Sequence, residues 1–144
     1  MGMAFQPDFD LLAQRFAETW QHPSPERLAA LLHPAVVLYQ PHLPPIRGRQ
    51  AALEEFQRLF RWLPDTYGEV ERYCGANGVL FIEWQMKLPI GKNGLSLKAV
   101  DRFILQEGLG IERAVYFDQL PLMAAVLVHP RVWSGFLQYW LRRM

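Results

Sequence analysis

The chain is short of most features that would announce a chemistry. It holds one cysteine, Cys74, among 144 residues, so no intrachain disulfide can form and paired-cysteine metal sites are excluded. With 15 basic against 14 acidic residues and a net charge of +1, it lacks the broad positive field that a phosphate backbone demands, and no nucleic-acid partner is expected. No run approaches the ~18 apolar residues of a membrane span. Met1–Asp10 has no basic segment leading into an apolar stretch, so neither a signal peptide nor a membrane partner is expected, and the setting inferred is reduced and cytoplasmic. There is no HExxH, no carboxylate cluster at ligand spacing, no GxGxxG opening a helix, and no nucleophile elbow around Ser24, Ser96 or Ser134. No metal, cofactor or nucleophile is therefore assigned.

What the chain does have is apolar substance: 51% hydrophobic and 13% aromatic residues. A single domain of this length buries roughly 68–70% of its unfolded surface and needs no covalent staple. Phe9, Leu12, Phe16 and Trp20 recur at helical spacing, which predicts a helix from about Pro7 to Gln21. Ser24-Pro25-Glu26 supplies a cap, a first-turn proline and an acid for a short helix whose stripe is Leu28, Leu31 and Leu32. Ala35–Gln40 reads as a strand, Pro41–Ile46 as an irregular proline-rich loop, and Arg49–Leu63 as a third helix ended by Pro64. Beyond Asp65 come four strands, Thr66–Cys74, Val79–Leu88, Leu95–Gln106 and Ile111–Asp118, separated by Gly- and Asn-bearing turns that dictate antiparallel hairpins. Leu120–Val128 reads as a short helical turn. A final helix from Pro130 sets Trp133, Phe136, Leu137, Trp140 and Leu141 against Arg131, Ser134, Gln138 and Arg142.

That order of elements carries several local marks. Phe16–Trp20 precedes a short Leu-rich helix and Pro34-Ala35-Val36-Val37, and Gly48 precedes Ala51-Ala52-Leu53. The strongest mark is Val100-Asp101-Arg102-Phe103, then a Gly-containing turn, Ile111 and Tyr116-Phe117-Asp118. Over about residues 5–127 this resembles the SnoaL-like branch of the nuclear-transport-factor-2-like superfamily. The resemblance implies an α+β fold: a cone-shaped half-barrel in which a curved antiparallel sheet packs on about three N-terminal helices, with an extra C-terminal helix. Residues 1–128 would form the SnoaL-like domain, and 129–144 an amphipathic helix packed on that domain or on a dimer partner.

Alternation along a strand groups Asp101 with Phe103, and Ala114 with Tyr116 and Asp118. The resemblance implies that these point into the cone. Leu38 and Gln40 would face them from the first strand, Phe16 and Trp20 from the first helix, with His42 at the mouth. Glu83 would join them, although Leu80, Ile82 and Trp84 make the other face of its strand at least as apolar. A carboxyl in an apolar hollow is driven toward its protonated form, which suits acid–base work. Ketosteroid isomerase, of the same superfamily, combines an Asp base with a Tyr and a protonated Asp. Asp101 resembles that protonated Asp, but Gln40 stands at the base position and Phe16 at the donor Tyr, which excludes the mechanism in its standard form. SnoaL-like polyketide cyclases use a pocket Asp, for which Asp118 is the nearest candidate, with Asp101 and Tyr116 orienting the substrate. Plainer roles stand beside these: Asp118 capping the helical turn after it, and Asp101 paired with Arg113 or Arg102. Two functions are consistent with the chain. One is a cofactor-independent isomerase, cyclase or lyase acting on a small apolar carbonyl compound. The other is a non-catalytic ligand-binding or dimeric assembly module. The partner expected is a small apolar molecule, unless in the second case the cone is simply filled, and the resemblance implies a homodimer.

Overall fold

The first helix decides where the core sits. In a computed structural model, which describes residues 7–41 and 43–140, α1 (Pro7–Gln21) lays Phe9, Leu12, Phe16 and Trp20 into the concave face of a six-stranded sheet. The short α2 (Pro25–Ala29) follows, and its first turn is held by Ser24, whose Oγ accepts from the Arg27 N–H at 3.1 Å. Then come β1 (Leu32–Tyr39), β2 (Ile46–Arg47) and α3 (Arg49–Trp62). A meander of β3 (Tyr67–Ala76), β4 (Val79–Leu88), β5 (Leu95–Gln106) and β6 (Leu109–Phe117) completes the sheet. The chain ends in α4 (Leu120–Leu127), a 3-10 turn over Pro130–Val132, and α5 (Trp133–Trp140).

The strand order is β2-β1-β6-β5-β4-β3. The meander is antiparallel because its links are tight. Asn77-Gly78 and Glu107-Gly108 form two-residue turns with φ of 56° and 79°, and of 57° and 77°. That is the left-handed pair which matches the twist of a hairpin. Two features differ from the sequence reading. β1 lies parallel to β6, pairing Leu38 with Arg113 and Tyr39 with Ala114, because it arrives from the helical layer and not through a hairpin. Inside the proline-rich loop, Ile46 and Arg47 pair back onto β1 as β2; the prolines stand outside those two residues, so the ladder loses no donor there.

Two apolar clusters result. The larger joins α1 to Leu80, Ile82, Trp84, Ala99 and Phe103 at the narrow end of the cone. The smaller gathers Leu63, Leu88, Ile90, Leu97, Leu122, Val126 and Tyr139 where α4 and α5 roof the wide end. α5 sits on α3, with Trp62 stacked on Tyr139 at 5.3 Å between centroids. A Cβ added to Gly135 would stand 2.2 Å from the Trp62 ring, so this close approach requires glycine. Among the described residues no single helix is long and apolar enough to cross a membrane.

Candidate functional site

Cross-strand register fixes which side chains enter the cone. Ile82 pairs with Asp101, and Asp101 with Val115; directly paired residues share a face. β6 therefore turns Arg113, Val115 and Phe117 inward, and Ala114 and Tyr116 outward. This corrects the sequence expectation for the strand, which had its two faces exchanged. Tyr116 is 55% exposed on the convex side. Asp118 is exposed too, and its Oδ1 accepts the Leu120 N–H at 3.0 Å at the start of α4. That is an Asx-type turn, the plainer of its two anticipated roles. Asp101, Tyr116 and Asp118 thus do not meet in one hollow.

Asp101 is fully buried, at 0% exposure, beneath the aromatic packing of the narrow end. Trp84 Nε1 donates to its Oδ1 at 2.8 Å, and Arg113 Nε donates to its Oδ2 at 2.5 Å. Burial pushes the carboxyl above the usual carboxylate range, while the Arg113 charge and the two donors pull it back. A proton on either oxygen would compete with a donor already seated there. Arg113 is itself only 5% exposed, and its guanidinium carbon lies 5.9 Å from the ring centroids of Phe16, Phe56 and Phe103, within cation–π range. Phe16, Trp20, Trp84 and Phe103 fill the space around the pair. Phe16 meets Trp84 edge-on at 5.3 Å and Phe103 at 5.9 Å, while Trp20 lies 4.6 Å from Trp84.

The wide end keeps a cavity of about 60 Å³, walled by Met86, Leu88, Leu97, Val115, Phe117, Leu122 and Tyr139, and bordered also by Trp20, Gln40 and Arg113. Its lining is mostly apolar, and besides Trp62, whose Nε1 donates to the Val132 carbonyl, and Tyr139 it holds three groups with unused hydrogen-bonding capacity. Trp20 Nε1 and Gln40 Oε1 are buried with no partner among the described residues. The only hydrogen bond from the Arg113 guanidinium among the described residues is Nε to Asp101, which leaves both Nη groups available. Buried polar atoms without partners are uncommon and each requires an explanation. A donor, an acceptor and a cation beside one apolar space form a recognition set.

The other anticipated residues fall elsewhere. Trp20 and Gln40 line the cavity, but Phe16, Leu38 and Phe103 belong to the packed core that closes it off. Glu83 faces the convex side, in an ion pair with Arg72 at 2.6 Å. Ala114 does not border the cavity but a separate open groove, with Tyr39, Gln40 and Tyr116. His42 lies outside the described residues. Among the described residues no group of three or more metal-ligating side chains forms. The sequence reading named Arg113 only as an ion-pair partner of Asp101. Its place opposite Phe103 depends on the register shift between Ile104 and Leu105, which no local pattern marks.

Comparison with known proteins agrees with this architecture. The SnoaL-like domain family matches residues 13–112. The chain belongs to that family. A putative SnoaL-like polyketide cyclase from Jannaschia sp. CCS1 superposes with a TM-score of 0.73 at 17% identity, covering 87% of this chain and 97% of that one. An NTF2-like protein of unknown function from Burkholderia pseudomallei K96243 gives 0.71 at 12% identity, over 83% and 97% of the two chains. A hypothetical protein of ketosteroid isomerase-like fold from Catenulispora acidiphila DSM 44928, in complex with trimethylamine, gives 0.69 at 11% identity, over 79% and 90%. At such identities the shared property is the fold. No curated protein matches the chain.

Proposed function

We propose that this SnoaL-like chain is a binding protein for a small apolar carbonyl compound, held at the wide end of the cone and read by Arg113, Gln40 and Trp20. One observation carries the reading: three buried polar groups with spare hydrogen-bonding capacity border the same apolar cavity. An oxygen acceptor on the ligand would accept N–H hydrogen bonds from Arg113 and Trp20, and a hydroxyl or enol beside it would donate a hydrogen bond to Gln40 Oε1. A neutral or anionic ligand is favoured, since of the buried pair only Arg113 borders the cavity, with Asp101 behind it. An amine would meet a cation at the cavity wall.

A volume of about 60 Å³ holds on the order of four waters, or a molecule of a few heavy atoms. Ordinary ligand pockets run to ~300 Å³ and more, so a larger ligand requires the roof formed by α4 and α5 to shift. Acid–base turnover has less support. No carboxyl or imidazole borders the cavity among the described residues, and Asp118 spends an oxygen on the helix after it. A homodimer is the assembly we favour, through the convex face, where Tyr39, Phe81 and Tyr116 are exposed together.

The test is calorimetric titration with the hydroxyketone acetoin, 2-hydroxyisobutyrate and trimethylamine, on the wild type and on Trp20→Phe and Gln40→Leu. Binding of the ketone or carboxylate, weakened about five- to ten-fold by loss of one hydrogen bond in either variant, supports the reading. Equal binding of the amine, or variants that bind as the wild type does, would overturn it. Turnover of any carbonyl substrate that vanishes in Asp118→Asn would restore the enzyme reading.

A further inference from the structure

The hairpin that roofs the cavity has an apolar outside as well as an apolar inside. α4 and α5 meet through the 3-10 turn at 105°, with Leu122, Val126 and Tyr139 packed inward. On the outside Met123, Leu127, Trp133 and Leu137 line one shallow groove. Leu127 is 70% exposed, Leu137 51% and Trp133 45%. A helix that is apolar all round belongs in a core or against an apolar phase, and these exposures exclude the core. Trp133 Nε1 donates to the Val126 carbonyl at 2.6 Å. The polar edge of the indole is thereby satisfied within the hairpin, and its open face is hydrocarbon.

Charge lies directly beside this patch. Arg58 and Arg61 from α3 and Arg131 from the 3-10 turn line a groove shared with Ser134 and Gln138 on the next stripe of α5. Arg58 has Glu54 and Glu55 within 3.9 Å and 3.5 Å. Arg61 and Arg131 form no ion pair among the described residues. The sequence beyond Asp118 contains no Asp or Glu at all, while Arg131, Arg142 and Arg143 fall in it.

We propose that this face of the α4–α5 hairpin docks onto an anionic lipid bilayer, with Leu127, Trp133 and Leu137 entering the headgroup–acyl boundary and Arg61 and Arg131 meeting the headgroups. This reverses the sequence expectation of no membrane partner, and it is independent of what the cavity holds. Charge complementarity selects the occupant. A second copy laid hairpin to hairpin offers no carboxylate from α4 or α5, and the α3 carboxylates beside the groove, Glu54 and Glu55, already pair with Arg58. A bilayer with acidic headgroups supplies both the apolar phase and the opposite charge.

The experiment is co-sedimentation of the full chain with vesicles of phosphatidylcholine alone, and with vesicles in which phosphatidylglycerol replaces a third of it, at low and high salt. The expected result is binding to the anionic vesicles that falls with salt. Arg61→Gln and Arg131→Gln should each weaken it about five-fold. Leu127→Ser with Leu137→Ser, at positions open enough to leave the fold intact, should weaken it by more than ten-fold, about what burying two leucines supplies. Absence of binding to both vesicles would overturn the proposal. So would wild-type binding by the arginine or leucine variants. Self-association without vesicle binding, lost in Leu127→Ser with Leu137→Ser, would assign the face to a second copy and also overturn it.

Discussion

At the narrow end of the cone, rings from α1, β4 and β5 interlock around a buried ion pair, whereas at the wide end side chains of similar hydrophobicity leave about 60 Å³ unfilled. The difference lies in the second wall. The narrow end is closed by α1, 15 residues long, whose apolar ridge runs along the sheet. The wide end is closed by two helices of 8 residues each, crossing at a bend. A long helix presents several successive turns to one surface, and rigid rings can interdigitate along it. Short crossed helices meet the sheet at few points and leave space between them. Apolar composition alone therefore does not decide whether a region becomes core or pocket.

Several substitutions would break or sharpen that contrast. The largest effect belongs to the ion pair at the boundary. Arg113→Met strands the Asp101 carboxylate and should cost about 3–5 kcal/mol in urea denaturation, while Asp101→Leu combined with Arg113→Met should recover most of it. A single variant as stable as the double would show that the pair is not sealed from water. Next come overpacking probes at the two ends. A Cβ at Gly68 would stand 2.6 Å from Trp84 Cζ3, so Gly68→Ala should lose roughly 1–3 kcal/mol at the filled end. Val115→Leu at the cavity should be neutral or stabilising by up to ~1 kcal/mol, and should abolish ligand binding by filling the space. Equal losses at both positions would erase the distinction between the ends.

The pH dependence is smaller and has a definite sign. Burial raises the Asp101 carboxyl above its unfolded value, so the native state binds more protons than the unfolded chain in the window just above the usual carboxylate pKa. The contribution is complete below about pH 4 and is lost as pH rises through the native value. Denaturation midpoints measured from acid to neutral pH should decline relative to those of Asp101→Leu/Arg113→Met, which has no group to titrate there. A flat difference between the two proteins would contradict this. The smallest effect is at Asp118: Asp118→Ala removes one exposed turn hydrogen bond and should cost about 1 kcal/mol or less, with ligand binding unchanged.

Much of this fold was legible from local pattern. Phe9, Leu12, Phe16 and Trp20 announce α1, and Ser24-Pro25 its short successor. Asn77-Gly78 and Gly108 announce the hairpins, because helical spacing and left-handed turn residues act over a few neighbours. The parallel placement of β1 was not legible, since no short turn encodes a pairing made across the whole domain. The candidate site was legible only in part. Trp20 and Gln40 were anticipated at the pocket and line it. Phe16 and Phe103 were anticipated there and instead fill the cone, because nothing local tells a ring lining a hollow from a ring occupying one. On β6 the expected face was inverted. Ala114-Tyr116 and Arg113-Val115-Phe117 are both mixed, and a buried arginine becomes tolerable only once β5 sets Asp101 against Val115 and Phe103 against Arg113, so that the carboxylate shares the face of the guanidinium.

By itself, then, the order of residues determined the elements, their amphipathic stripes, the tight turns that make the meander antiparallel, and the grouping of side chains into alternate sets along each strand. Only the assembled tertiary structure decided which set of each strand turned inward and how much of the enclosed space was taken up. The reason is physical: alternation and helical spacing are properties of neighbouring residues. The absolute facing of a strand and the volume left between walls follow from packing and charge partners that lie far apart in the chain.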